Sequence, residues 1–500
     1  MTNSIVMNKN ISILLVLLVI GSWVHQWISI GTFISLDFSN FSFSFKWLLS
    51  NRNLLILILP LNFILFFFLI KKKNNNLIIF FILFLSYLIG TINFQINLFS
   101  SDVFKNEAIN IYGSYENYFK KQLKWHFTFS LNLLCTILIL SNLKSLVLDN
   151  SYKIIIFISL SFLFLICFLV FFQKGNLYTN PTYNLNIFGS NKIINSNGLS
   201  RGLIIIFIFL FSGLLLNSKK INFFLIFPSF LLSYLIIANE GRLNFISLLV
   251  AIILFLFLSS FSFKKKFFIF TLIFLIPLLT NIFVKTVVLK TLDGTNPLNV
   301  DLKEYISDLK KNRLFSLQGE IRGDLKEIVN LNTGLPDKCY YILNDNSAFV
   351  SKLNALTTGR IKKWQCGLNL ENDFIFGNGP EYDRRILIGV KKNLLIQGED
   401  IANGAIYALI CGGIVGLCCY LLILFKYFNM CIHLLILKKK NYLINDLFFL
   451  SSFITVGYLV GRSLFENSFS SYGIDLLIFI PCYVFIFERF NMSENNYRNP

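Results

Sequence analysis

Long apolar runs are the feature that most constrains the fold of this chain. Stretches of about 20 mostly apolar residues, the length an α-helix needs to cross a hydrocarbon core of about 30 Å, recur along the whole sequence. Of the 500 residues, 55% are hydrophobic and only 14% are charged. Because a backbone surrounded by lipid must satisfy its own hydrogen bonds, we predict an all-α polytopic membrane protein.

The apolar runs predict about 12 transmembrane helices. No small-residue cleavage site follows the first run, so we interpret it as a retained span and not as a signal peptide. The predicted spans are residues 11–34, 53–70, 77–97, 127–147, 154–173, 202–217, 221–238, 243–262, 267–288, 402–425, 447–463 and 472–487. The domain division that follows is 1–290 for spans 1–9, 291–401 for one large loop, 402–488 for spans 10–12, and 489–500 for a cytoplasmic tail.

Lysine clusters predict the orientation. A formal charge of +19 would suggest a nucleic-acid partner in a soluble chain, but here the lysines lie in short clusters between apolar runs, which is the pattern of a topology signal. Four clusters alternate with loops that lack them: Lys71–Lys73, Lys219–Lys220, Lys264–Lys266 and Lys438–Lys440. The positive-inside rule then places these clusters and both termini in the cytoplasm, and the 291–401 loop on the outer side.

The long loop differs in composition from the rest of the chain. It contains 15 Lys/Arg and 15 Asp/Glu, which are 30 of the chain's 71 charged residues, and it is too long to be a simple connection. We expect two short helices in it, one at Val300–Leu309 and one beginning after Thr358. In the second we predict one face formed by Ile361, Trp364 and Leu368, and another face formed by Arg360, Lys363 and Gly367.

Arginines are few and unevenly placed. The chain has 34 Lys but only 11 Arg, and nine of these arginines lie on the predicted outer side, against the topological preference. A guanidinium matches phosphate oxygens with a planar, permanently charged fork, so this bias favours a phosphate ligand. Arg242 stands out because it ends a four-residue turn between two spans. Pairing with Glu240, or snorkelling to the interface, explains that arginine equally well.

The chain contains three short motifs: NEGRLNFISLLVAI at residues 239–252, TTGRIKKWQCGLNLENDFIFGNGP at residues 357–380, and the spacing of Asn403, Gly413 and Gly416. Together they resemble the O-antigen ligase and polymerase superfamily of bacterial membrane glycan-assembly proteins. NEGRLNFISLLVAI resembles its arginine-containing turn before a span, and so selects Arg242. TTGRIKKWQCGLNLENDFIFGNGP resembles its loop motif, which selects Arg360, Trp364, Gly377, Gly379 and Pro380. The ligases also carry His followed by Asn, Ser or Gln, then nine residues, Gly, two residues, and Gly, Thr or Tyr. Asn403, Gly413 and Gly416 hold that spacing, whereas Ala402 replaces the histidine.

The resemblance implies glycosyl transfer from a polyprenyl-diphosphate-linked saccharide to an acceptor hydroxyl at the periplasmic face of the bacterial inner membrane. Because the donor carries its own leaving group, the protein would need no nucleotide and no cofactor, only charge stabilisation and a base. We expect Arg242 and Arg360 to stabilise the diphosphate. Glu399 and Asp400 are candidate bases, although solvated loop acids are the alternative. The expected substrate-binding residues are Arg384, Arg385, Trp364, Gly377, Gly379 and Asn403.

The subclass and two further features stay open at this stage. The missing histidine favours a polymerase over a ligase that acts on a lipid A core, and a transporter or flippase of lipid-linked saccharide is the alternative of another class. No Cys/His cluster has metal-ligand spacing, so we predict a metal-free mechanism. His126, at the outer end of the fourth predicted span, is a minor candidate for the site. Cys339 and Cys366 are the two cysteines of the long loop and a possible disulfide pair.

Small residues mark the span that follows the loop. Gly404, Gly412, Gly413 and Gly416 give it a face that allows either close helix packing or an approach of the backbone to the lipid carrier. The sequence does not separate these two interpretations. Partners expected from the resemblance are the lipid-linked saccharide, a glycan or lipid acceptor, the bilayer, and other proteins of a glycan-assembly complex.

Overall fold

A computed structural model describes about half of the chain. The described residues are 74–100, parts of 122–137 and of 156–164, 182–187, 190–216, 223–238, 242–259, 261–283, 360–369, 374–380, 382, 403–436, 446–465 and 474–498, with 60, 65 and 443 standing alone. The predicted span at 11–34, nearly all of 53–70, and most of the 291–401 loop lie outside them. So do four predicted site residues, Arg384, Arg385, Glu399 and Asp400.

Helices account for nearly all of the described chain. They are α1 (Asn75–Ser100), α2 (Ser196–Leu216), α3 (Phe223–Ala238), α4 (Arg242–Leu258), α5 (Phe263–Phe283, with a π-helical centre at Thr271–Leu275), α6 (Arg360–Asn369), α7 (Gly404–Cys431, followed by a π-helical turn at Ile432–Ile436), α8 (Leu447–Ser463) and α9 (Ile474–Arg498). Each of them except α6 begins within a few residues of a predicted span. Helix α9 continues into the segment that we predicted as a tail.

Three of these helices have stretches long and apolar enough to cross a membrane by length and composition alone. They are Asn75–Ile96, Phe263–Phe283 and Gly404–Leu434. Shorter apolar helices accompany them at Arg201–Leu214, Phe224–Ala238, Asn244–Leu258 and Leu447–Ser463. The predicted membrane protein is therefore supported, while the number of spans stays a prediction.

One β-hairpin lies in a loop between predicted spans. Strand β1 (Thr182–Ile187) pairs antiparallel with β2 (Ser190–Asn195), in a register that sets Thr182 opposite Asn195 and Ile187 opposite Ser190. In β1, Tyr183, Leu185 and Ile187 alternate with polar residues, which is the period of a strand and not of a helix. The membrane helices are as expected, and the hairpin is an addition that the all-α prediction did not include.

The helix ends meet at two opposite ends of the bundle. At one end, which we call the lysine end, Asn74 donates to Glu488 at 2.6 Å, Lys426 donates to Asn76 at 3.0 Å, and Arg489 pairs with Asp446 at 3.3 Å. At the other, which we call the loop end, Asn403 donates to Leu464, and Arg462 and Asp475 lie close together. Helices α7, α8 and α9 therefore run alternately between the two ends, and the long loop rejoins the bundle at the loop end.

Candidate functional site

Helix α7 is broken at Gly413. This residue has φ 64° and ψ −162°, a backbone conformation that is essentially restricted to glycine, although helix lies on both sides of it. A Cβ on Gly413 would also collide with the carbonyl oxygen of Ile375. Glycine is therefore required here both for the turn of the chain and for the close approach of another segment.

The segment that approaches the break is the Phe-Gly-Asn-Gly-Pro turn of the long loop. In an unbroken helix the Ile410 carbonyl would accept from the Ile414 amide. Here the Asn378 amide donates to Ile410 O at 2.9 Å, and Ile414 N donates instead to Phe374 O at 2.8 Å. The Gly379 amide donates to Cys411 O, also at 2.9 Å. The turn thus provides partners for three backbone groups of α7 at the break, Ile410 O, Cys411 O and Ile414 N.

Side chains from α1 and from the 122–137 segment hold the same turn on its other side. Asn93 Nδ2 donates to Gly377 O at 3.0 Å, and Gln122 Nε2 donates to Pro380 O at 3.1 Å. Gly377 and Gly379 both have positive φ, 75° and 79°. A Cβ on Gly379 would lie 2.6 Å from Thr91 Oγ1 and 2.8 Å from Gln122 Nε2. The two glycines of the motif are needed because the turn is enclosed between α1 and α7.

This contact lies deep in the bundle. Gly413 is nine residues along α7 from Gly404, which corresponds to about 14 Å at 1.5 Å per residue. Non-helical backbone at such depth is tolerated only where protein buries it, and Gly377, Asn378, Gly379 and Pro380 are all buried. The turn therefore re-enters the bundle, although we had predicted the whole 291–401 segment as an external loop.

The small-residue face of α7 packs closely against α1. A Cβ on Gly412 would lie 2.5 Å from the Tyr87 ring, and one on Gly416 would lie 3.2 Å from Ser86 Oγ. Gly404 lies instead against Tyr420 and Ser463. Close packing, one of the two interpretations of these glycines, is what the structure has.

His126 lies in the same deep region. Its Nε2 is 2.9 Å from Thr91 Oγ1, and the Thr91 hydroxyl donates to Tyr87 O at 3.1 Å, so the ring nitrogen supplies the proton of that contact. The ring is fully buried, and Nδ1 has no hydrogen-bond partner among the described residues. Thr91 therefore lies between His126 and Gly379. His126 is thus close to the glycine turn of the loop motif, which the sequence did not indicate.

At the loop end, Asn403 organises the start of α7. Its Oδ1 accepts from the amides of Ala405 and Ile406, both at 3.0 Å, which is the geometry of an N-cap. Its Nδ2 donates at 3.0 Å to the carbonyl of Leu464, just past the end of α8. The motif residue Asn403 thus fixes the end of the long loop to the end of α8.

A buried charged cluster lies next to that junction. Arg201 from α2 reaches Asp475 Oδ2 at 3.1 Å, and Arg462 Nε lies 4.0 Å from the same oxygen. Arg462 NH1 donates to Asn244 Oδ1 at 3.2 Å and to the Tyr458 hydroxyl at 3.4 Å. Arg462 and Asp475 are almost fully buried. We call these residues, Arg201, Asn244, Tyr458, Arg462 and Asp475, the loop-end cluster.

Arg242 begins α4 beside this cluster. The helix starts at Arg242, and Asn244, two residues later, is the residue that Arg462 contacts. The sequence therefore brings the Arg-containing turn and the Asn403 motif, 161 positions apart, to neighbouring places at the loop end. Arg242 and Asn403 therefore both lie at the loop end, whereas Gly377 and Gly379 lie deeper in the bundle.

Arg360 begins α6, the helix that we predicted after Thr358. The predicted faces of this helix were wrong in one respect, since Gly367 is buried and Leu368 is 45% exposed. At 100° per residue, Arg360 falls between Trp364, about 40° away, and Gly367, about 20° away on the other side. Trp364 packs against the core. Arg360 thus belongs to the buried face of α6 and is itself partly buried.

Comparison with known families gives one match, and it covers several of the elements described above. The O-antigen ligase family model matches residues 227–421, which include the start of α4, helix α6, the re-entrant turn and the first half of α7. This match, over 195 of the 500 residues, supports the resemblance of the chain to the O-antigen ligase and polymerase superfamily. A comparison with curated proteins found no match, and neither did a comparison with solved structures.

The residues that match the O-antigen ligase family model contain several of the motifs that stand apart in the sequence. Within the matched residues, Arg242 and Arg360 each begin a helix, Gly413 breaks one, and Asn403 caps one. Sequence reasoning missed the contacts of Asn93 and Gln122 with the turn, for which the sequence carries no signal. It also missed Asp475, although a carboxylate inside a predicted span was a signal. In the described part of the chain no group of three His, Cys, Asp or Glu could hold a metal ion.

Proposed function

We propose that the protein is a membrane glycosyltransferase that moves a saccharide from a polyprenyl-diphosphate carrier to an acceptor hydroxyl. The observation that carries this proposal is the meeting of two family motifs at the loop end, where Arg462 joins the first turn of α4 and Asn403 joins the end of α8. Arginines gathered at one membrane face suit a diphosphate anion. In the predicted orientation, with both termini cytoplasmic, this is the periplasmic face of the bacterial inner membrane.

The proposed reaction requires two contributions from the protein: stabilisation of the charge on the diphosphate, and a general base. A bond forms between the acceptor oxygen and the anomeric carbon, the bond from that carbon to the diphosphate oxygen breaks, and the diphosphate leaves with the electron pair. Arg242 and Arg360 stabilise the charge that develops on it, with Arg384 and Arg385 as further binding residues. A carboxylate takes the hydroxyl proton, and Glu399 and Asp400 are the candidates from the sequence. The mechanism needs no cofactor and no metal.

The re-entrant turn gives the motif glycines a role in this proposal. Gly377 and Gly379 let the turn lie against the broken helix α7, and α6 precedes the turn by a few residues. Docking of the turn therefore fixes how far α6, with Arg360 and Trp364, can move from the bundle. We propose that Trp364, Gly377, Gly379 and Asn403 contribute to substrate binding through this placement.

We favour a polymerase, in which the acceptor is a growing glycan, because Ala402 occupies the position of the ligase histidine. The test compares surface and carrier-linked glycan, resolved by chain length, between a deletion strain and its parent. Loss of the long ladder, with single repeat units still reaching the surface, is the expected result. Long chains retained on the undecaprenyl carrier would indicate a ligase, and the absence of any repeat unit at the surface would indicate a transporter.

A further inference from the structure

Asp475 has an oxygen that the described structure leaves unused. Its Oδ2 faces Arg201 at 3.1 Å and Arg462 at 4.0 Å, while Oδ1 is buried and has no hydrogen-bond partner among the described residues. The side chain is only 1% exposed. A buried carboxylate oxygen without a donor is costly, so its retention calls for a donor that the described residues do not supply.

The position of Asp475 is the second observation. Of the carboxylate side chains in the described part of the chain, Glu488 and Asp446 lie at the lysine end, bonded to Asn74 and Arg489. Asp475 lies at the loop end, next to Arg462, which contacts Asn244 in the first turn of the helix that Arg242 begins. Asp475 is thus the described carboxylate on the same side of the bundle as the proposed diphosphate site.

We propose that Asp475 is the general base of the glycosyl transfer, in place of Glu399 and Asp400. This inference rests on the proposed function. Oδ1 first accepts a hydrogen bond from the acceptor hydroxyl. It then takes the hydroxyl proton while the acceptor oxygen bonds to the anomeric carbon. The bond from that carbon to the diphosphate breaks, and the diphosphate leaves with its electron pair. The guanidinium of Arg201 at Oδ2 orients the carboxylate so that Oδ1 is the oxygen left for the substrate.

Burial of Asp475 suits this role. Transfer to a sugar hydroxyl competes with transfer to water, so a base that is 1% exposed discriminates against hydrolysis. The same arrangement would serve a carboxylate that only balances the two arginines. The two roles differ in their use of Oδ1: charge balance is met through Oδ2, whereas a general base needs an oxygen without a donor, and Oδ1 has none among the described residues.

The experiment removes the proposed base in two ways, one that leaves the charge of Arg201 unbalanced and one that removes this charge as well. Asp475→Asn leaves Arg201 without its carboxylate and can misfold for that reason alone. The double variant Arg201→Gln with Asp475→Asn removes one positive and one negative charge together, and Arg201→Gln alone is its matched control. Two quantities are measured on the full-length protein. One is the initial rate of labelled-sugar incorporation into glycan in a complemented deletion strain, per amount of protein in the membrane. The other is the affinity of the purified protein for undecaprenyl diphosphate.

We expect the double variant to incorporate sugar at least about 100-fold more slowly than Arg201→Gln, because a general base typically contributes 10²- to 10⁴-fold. Undecaprenyl diphosphate binding should differ by less than about threefold between these two variants, since Oδ1 serves the acceptor and not the donor. Asp475→Glu, which keeps a carboxylate, should recover at least a tenth of the wild-type rate. A double variant as fast as Arg201→Gln would overturn the assignment and leave Asp475 a counter-ion.

The result also distinguishes this inference from the function on which it rests. If the deletion strain makes the same glycan as its parent, or the wild-type protein does not bind undecaprenyl diphosphate, the proposed function fails. If both of those tests succeed and the double variant stays active, only the role of Asp475 fails.

Discussion

Replacing Gly413 with alanine should undock the re-entrant turn from α7. An L-residue at φ 64°, ψ −162° costs about 1–3 kcal/mol in strain. In the undocked state α7 can straighten, and alanine then favours that helix over glycine by about 1 kcal/mol. The two effects together shift the docking equilibrium by about 2–4 kcal/mol, or roughly 30- to 700-fold. The collision of the new Cβ with Ile375 O adds to this.

Hydrogen exchange of the 374–380 peptide measures this shift without an activity assay. In the docked turn the amides of Asn378 and Gly379 donate to Ile410 O and Cys411 O, so they exchange only when the turn undocks. Gly413→Ala should accelerate their exchange by the factor given above. Gly461→Ala is the matched control, because a Cβ there meets nothing within 4 Å. Protection of Asn378 and Gly379 at the wild-type level in Gly413→Ala would refute the docking of the turn at the helix break.

Two further variants test the contacts that fix the site. Asn403→Ala removes both the N-cap of α7 and the bond to Leu464 O, so it should lower the free energy of unfolding by about 1–2 kcal/mol. Asn403→Asp keeps the cap oxygen and should be intermediate. Thermal unfolding in detergent compares them, and an alanine variant as stable as the wild type would contradict the cap. Gln122→Leu leaves the buried Pro380 carbonyl without that donor, which costs about 1–3 kcal/mol, and should also speed exchange in the 374–380 peptide. Unchanged exchange would show that the bond contributes nothing to docking.

The membrane helices could be predicted from the sequence because the signal is local. A run of apolar residues long enough to cross a bilayer has few alternatives to a helix, and α8 coincides with its predicted span, Leu447–Ser463. The β-hairpin was missed because its two strands have only six residues each and lie in a loop between two much longer apolar runs. The faces of α6 were partly wrong because Leu368 and Gly367 lie about 100° apart, and the sequence of the helix alone does not fix how the helix is rotated against the bundle.

The candidate site was predictable where one residue carries the signal alone. The motif spacing selected Asn403 and Gly413. The structure gives this spacing a reason, since Asn403 caps α7 and Gly413 breaks it. The partners of these residues were not predictable, because Asn93 and Gln122 are ordinary polar residues far away in sequence. The re-entry of the turn also depends on those distant contacts. Arg384, Arg385, Glu399 and Asp400 lie outside the described residues and stay predictions.

The most direct measurement is the rate of sugar incorporation by Arg242→Ala and Arg360→Ala proteins in a deletion strain, normalised to the amount of each protein in the membrane. Removing a donor that stabilises transition-state charge should lower this rate by about 100-fold or more for each variant. Arg489→Ala is the control, because Arg489 is partly exposed at the lysine end and pairs there with Asp446. Rates for Arg242→Ala and Arg360→Ala within a few-fold of the Arg489→Ala rate would contradict diphosphate stabilisation by these arginines.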